Sequence, residues 1–124
     1  MSKKKVLVVD DNRELCDLLA DGLTGESIEV EQAYDGEEGL AAALKGHPDL
    51  ILLDVLMPKM NGWEMLEKLR ADEWGKRAQV VMLTNVGDME SISKAVDRGT
   101  FEYLIKTELD MEDISAKVRE KLGL

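Results

Sequence analysis

Three carboxylates, a hydroxyl and an ammonium stand at the ends of short apolar runs in this chain. Asp10 and Asp11 follow Val6-Leu7-Val8-Val9, and Asp54 follows Leu50-Ile51-Leu52-Leu53. Thr84 follows Val80-Val81-Met82-Leu83, and Lys106 follows Tyr103-Leu104-Ile105. In an open parallel sheet, residues at the carboxyl ends of the strands converge on one crevice, where ligands bind. Clustered carboxylates repel one another, so either one takes up a proton or a cation sits among them. Mg²⁺ suits such a place, because it takes oxygen ligands and binds through one or two carboxylates plus a phosphate. A carboxylate can also attack phosphorus to give an aspartyl phosphate. That transfer depends mostly on positioning and charge stabilisation, for which a cation, a hydroxyl and an ammonium are natural parts. The pattern reads as a metal and phosphoryl site.

Bringing these residues together requires strands that alternate with helices. Strands are predicted over Lys5–Val9, Ile28–Ala33, Asp49–Leu53, Gln79–Leu83 and Phe101–Ile105. The first, third and fourth are apolar at consecutive positions, as in parallel strands covered on both faces. The second, Ile28-Glu29-Val30-Glu31, alternates and is placed at an edge. Helical spacing connects Leu15, Leu18, Leu19 and Leu23 in a first helix, and Leu40, Ala43 and Leu44 within Gly36–Lys45 in a second. Leu66 and Leu69 after Trp63 mark a third, Ile92, Ala95 and Val96 a fourth, and Ile114, Val118 and Leu122 a fifth. Gly46-His47-Pro48 stops the second helix, Asn61-Gly62 turns into the third, Gly99 ends the fourth, and Asp110 with Asp113 suggests a cap on the fifth. Strict alternation implies right-handed crossovers and a three-layer α/β/α sandwich. Residues 1–124 read as one domain, with nothing left for a second.

A net charge of -10 argues against direct contact with nucleic acid or an anionic membrane. Lys3-Lys4-Lys5 reads as a solvated lead-in to a buried strand. Cys16 is the only cysteine, which excludes a disulfide within the chain, and its leucine neighbours give it the character of a small apolar residue. No apolar run approaches a membrane span or a signal peptide, so a cytoplasmic location is expected. Met57, Met60 and Met65 read as packing residues, Trp63 as helix packing, Trp74 as a loop cover, and His47 as an inert turn residue.

Asp54-Val55-Leu56-Met57-Pro58-Lys59-Met60-Asn61-Gly62 resembles the phosphorylation segment of two-component response-regulator receiver domains. That family carries an acidic pair after strand one, a phosphoacceptor Asp after strand three, Thr or Ser after strand four and Lys after strand five. Asp10-Asp11, Asp54, Thr84 and Lys106 fill those positions at the usual intervals. The resemblance covers essentially the whole chain and implies a flavodoxin-like (βα)5 fold with strand order 2-1-3-4-5. It implies that Asp54 accepts a phosphoryl group from a histidine kinase or histidine phosphotransfer protein. Asp11, Asp54 and the Leu56 backbone carbonyl would bind Mg²⁺ directly, with Asp10 acting through water. Lys106 and Thr84 would each pair with a phosphoryl oxygen, and Tyr103 would be the switch aromatic. The face made by helix four, strand five and helix five (Lys94, Asp97, Arg98, Glu112, Lys117, Arg119) would meet an effector or a second copy.

The chain departs from this pattern in two places. Thr107 stands where a proline usually follows the Lys, and Asn85 where a small residue is usual. Three other readings share parts of the pattern. A haloacid-dehalogenase-type phosphatase would need D-x-D after strand one, where Asp10-Asp11-Asn12 stands. A flavodoxin-like cofactor module would need a hydroxyl- and glycine-rich loop there. A receiver-shaped module that is never phosphorylated is the third, since fold does not fix function. Leu56 and Val86 flank the site and are apolar, so neither can orient an attacking water. Slow self-dephosphorylation is therefore expected. Following label loss tests it: a wild-type phosphoprotein that decays faster than a Leu56→Asn variant contradicts the expectation.

Overall fold

In the computed structural model, residues 3–84, 102–106 and 110–124 are described. Five strands form one parallel sheet: β1 (Lys4–Val9), β2 (Ile28–Ala33), β3 (Leu50–Asp54), β4 (Val80–Thr84) and β5 (Glu102–Ile105). Their order across the sheet is β2-β1-β3-β4-β5. Between them run α1 (Arg13–Leu23), α2 (Gly36–Gly46) and α3 (Gly62–Arg70), and a C-terminal helix (Met111–Leu122) closes the chain. The predicted fourth helix with Ile92, Ala95 and Val96 lies outside the described residues, as do Asn85, Val86, Lys94, Asp97, Arg98, Gly99, Phe101 and Thr107. Among the described residues, no helix is long and apolar enough to cross a membrane.

The consecutive apolar runs divide by parity between two cores. Val6, Val8, Leu50, Leu52, Val81 and Leu83 point to one face of the sheet, where Cys16, Leu19 and Leu23 of α1 and Ile114, Val118 and Leu122 of the C-terminal helix cover them. Leu7, Val9, Ile51, Leu53, Val80 and Met82 point to the other, against Ala43 of α2 and Met65 and Leu69 of α3. Successive side chains of a strand alternate between faces, so a strand buried on both must be apolar throughout. β2, with Glu29 and Glu31 on its exposed positions, takes the edge as its alternation predicts.

Two helix faces are narrower than their leucines suggested. Leu18 is 55% exposed and Leu44 is 37% exposed. Each sits one residue, about 100° of helical rotation, from a position that does face the core: Leu19 and Ala43. β3 and β4 also begin and end one residue later than the apolar runs predicted, so Asp54 and Thr84 are the last residues of their strands.

His47 is more than a turn residue. It caps α2 in the left-handed conformation (φ 47°), and its ring stacks on Trp74 with centroids 4.4 Å apart and planes 5° from parallel. Trp74 also packs, half-buried, against the core on the α2 and α3 side of the sheet. Nearby, the Arg70 guanidinium donates to the Gly75 and Ala78 carbonyls, 2.7 Å each, and fixes the lead-in to β4.

Candidate functional site

Strand register aligns the acids. Val9 is level with Leu53 across β1 and β3, so Asp10 and Asp54, the next residues, stand side by side. Both continue the parity of Val8 and Leu52, and Lys106 continues that of Leu104, which packs against the same core. This shared phase lets one long side chain reach from the end of β5 past β4. Lys106 Nζ lies 2.6 Å from Asp10 Oδ2 and 3.0 Å from Asp54 Oδ1. Carboxylate oxygens of Asp10, Asp11 and Asp54 all come within 4.8 Å of one another.

Local structure holds each acid in place. The Asp10 N–H donates to the Ala33 carbonyl of β2 at 3.0 Å. Asn12, not either aspartate, caps α1: its Oδ1 accepts the Leu15 N–H at 3.2 Å, while its own N–H donates to Asp10 Oδ1 at 2.9 Å. With Asn12 in the capping role, the two aspartates keep oxygens for the crevice. The Cys16 thiol donates to the Asp10 carbonyl at 3.3 Å. Burial, reinforced by the charge of Asp10, pushes that thiol up to about 12, so it stays neutral and acts as a donor only.

Beyond Asp54 the chain makes a short closed loop. The Gly62 N–H donates to the Val55 carbonyl at 2.8 Å, and Asn61 caps α3 through an Oδ1 that accepts the Glu64 N–H at 2.9 Å. A Cβ on Gly62 would overlap the Asp54 carbonyl, so only glycine lets α3 start directly against the Asp54 backbone. Leu56, on this loop, is 59% exposed. Thr84 is fully buried at the end of β4, and Tyr103, 39% exposed, sits opposite Met82 on β5.

The electrostatics follow from these positions. Asp10 and Asp54 are buried and Asp11 is exposed. Burial pushes Asp54 up to about 7; the neighbouring Asp10 adds to this, Lys106 opposes it, and Asp11 raises it further. Burial by itself would lower the Lys106 pKa, but its contacts with Asp10 and Asp54 outweigh burial and raise it. One ammonium faces three carboxyl groups, which leaves the cluster short of positive charge. Its donors are all oxygen, with no nitrogen or sulfur, which is the donor set of a hard cation such as Mg²⁺.

The structure thus brings together Asp10, Asp11, Asp54 and Lys106, and puts Thr84 at the adjoining strand end. Asn12 and Gly62 support the site in ways that sequence reasoning did not anticipate. For Asn12 the signal was present, since an Asn three residues before Leu15 is an N-cap spacing. For Gly62 it was not, because the close approach arises from the tertiary path of the loop.

Residues 6–119 match the family described as the response regulator receiver domain. The chain is 36% identical over 118 residues to the DNA-binding dual master transcriptional regulator RpaA of Synechocystis, which covers 95% of this chain and 48% of that protein. It is 34% identical over 119 residues to the transcriptional regulatory protein PcoR of Escherichia coli, covering 96% and 51% respectively. The chain spans about half the length of these curated relatives. Among solved structures, chemotaxis protein CheY4 of Vibrio cholerae superposes with a TM-score of 0.86 at 31% identity, covering 98% of this chain and 100% of that one. A CheY-like receiver domain protein of Methanospirillum hungatei gives 0.85 at 31% identity, covering 98% and 95%.

The raised Asp54 pKa sets the sign of a pH dependence. Without metal, folded Asp54 titrates at about 7, against about 4 for the free side chain, so between those values the folded state binds more protons than the unfolded state. Its contribution to stability is complete below about pH 4 and is lost as the pH rises through 7. Metal-free protein is expected to lose roughly 1–3 kcal/mol between pH 5 and 8, and Asp54→Asn to flatten that slope. Urea unfolding across this range measures both, and equal slopes in the two proteins contradict the assignment.

Proposed function

The chain belongs to the response regulator receiver domain family, and on that premise we propose that Asp54 accepts a phosphoryl group from a phosphohistidine of a histidine kinase or histidine phosphotransfer protein. The observation that carries this reading is the buried Asp54 carboxylate, held 3.0 Å from an ammonium and crowded by two further acids at the strand ends. Receivers are signalling domains of two-component systems and not enzymes in the ordinary sense. The whole of residues 1–124 acts as one such domain.

An Asp54 oxygen attacks the phosphorus, an O–P bond forms, the P–N bond breaks, and the imidazole departs with the electron pair. Asp11, Asp54 and the Leu56 carbonyl would hold Mg²⁺ directly and Asp10 through water. When bound, the ion neutralises charge on the phosphoryl oxygens. Lys106 is already at hydrogen-bonding distance from Asp54 and turns its ammonium to a phosphoryl oxygen as that oxygen arrives. Thr84 donates its hydroxyl to another. The product carries about -1.5 to -2 additional charge at pH 7, enough to bias a loop with two arrangements. Thr84 moving toward the phosphoryl group frees space for Tyr103, half exposed before phosphorylation, to turn inward. The signal leaves through the face of β5 and the C-terminal helix, where an effector or a second copy docks. The acidic net charge of -10 makes direct DNA contact by this domain unfavourable.

Intact-mass spectrometry after incubation with a small phosphodonor and Mg²⁺ tests the proposal. Wild type should gain one phosphoryl group, and Asp54→Asn none. An equal gain in the variant, or no gain in wild type shown separately to bind Mg²⁺, overturns it.

A further inference from the structure

The loop that carries Leu56 is fastened to the start of α2 by residues outside the phosphoryl chemistry. Lys59, at the loop's tip, has φ +68°, a left-handed backbone that a lysine adopts only with support. Its ammonium lies 3.6 Å from Asp35 Oδ2. The other oxygen of Asp35 accepts the Glu38 N–H at 2.8 Å and caps α2. The same carboxylate therefore starts a helix and holds the tip of the loop. Asp35 is well sheltered, with a side chain 14% exposed, whereas the Lys59 side chain is 63% exposed. Next to this pair, the Met60 carbonyl rests on the Cα of Gly36, where a Cβ would overlap it. At its base the loop is closed by the bond from the Gly62 N–H to the Val55 carbonyl.

We propose that the Asp35–Lys59 pair is a latch that positions the loop of residues 55–61, and with it the Leu56 carbonyl, for cation binding beside Asp54. The inference rests on the reading of that crevice as a Mg²⁺ and phosphoryl site. Asp35 and Lys59 are positioning residues and touch neither the cation nor the phosphoryl group. Without the latch, Lys59 relaxes from its left-handed backbone and the loop loses the shape that presents the carbonyl.

Simple electrostatics and the latch predict different signs. Removing a positive charge near the acidic cluster would by itself tighten Mg²⁺ binding, and removing a negative charge would weaken it. The latch predicts weakening by both Lys59→Met and Asp35→Asn, about three- to tenfold in Kd. The double variant should be no worse than either single one, and Lys59→Arg should stay within about twofold of wild type. Asn is as good an N-cap as Asp, so Asp35→Asn leaves the start of α2 supported.

Calorimetric titration with Mg²⁺ gives the affinities, and amide exchange of Gly62 in metal-free protein gives a second readout. Exchange should speed up in both single variants and not in Lys59→Arg. A tighter Kd for Lys59→Met, or unchanged Gly62 exchange in both variants, overturns the latch while leaving the phosphoryl reading intact. Wild type that binds no Mg²⁺ overturns that reading, and the exchange data then decide the latch by themselves.

Discussion

The Lys106 ammonium shared between Asp10 and Asp54 is the interaction around which this site is organised. Bringing buried carboxylates side by side costs free energy through both desolvation and mutual repulsion. A single lysine from β5 offsets part of that cost, reaching Asp10 at 2.6 Å and Asp54 at 3.0 Å. Burial first, and the charge of Asp10 second, still push Asp54 up to about 7. A group with that balance responds strongly to any added positive charge. The lysine, for its part, has Asp10 as a second carboxylate that holds it at the site.

The sheet makes this arrangement possible. A crevice charge cluster needs rigid supports, and β1, β3 and β4 are buried on both faces by two separate cores. Register then does what flexible loops could not: it sets Asp10 level with Asp54 and gives Lys106 the parity that faces both. Around this frame, small contacts finish the geometry. Asn12 takes the cap of α1 away from the aspartates, and Gly62 admits α3 against the Asp54 backbone. Asp35 grips the loop tip through Lys59.

Much of this was legible in the residues. Val6-Leu7-Val8-Val9 and its counterparts specify doubly covered strands because period-two alternation leaves no solvated position, and the acids at their ends follow directly. The edge placement of β2 was legible for the converse reason. The order of strands came from family resemblance, since alternation alone permits several orders. Leu18 and Leu44 misled because leucines one residue off the buried stripe satisfy a helical pattern without facing the core. The pairing of His47 with Trp74, and of Lys59 with Asp35, joins residues 27 and 24 positions apart, and no local rule connects them. Such contacts depend on where loops cross in space, which the sequence pattern leaves open.

The central claim is that Asp54 sits in a crevice with too little positive charge and is completed by a cation. Its carboxyl titration, followed by carbon NMR first without metal and then with saturating Mg²⁺, tests this most directly. The account predicts a metal-free midpoint near 7 that drops by about two units or more when Mg²⁺ is added. A midpoint in the ordinary range near about 4, unmoved by Mg²⁺, would contradict it.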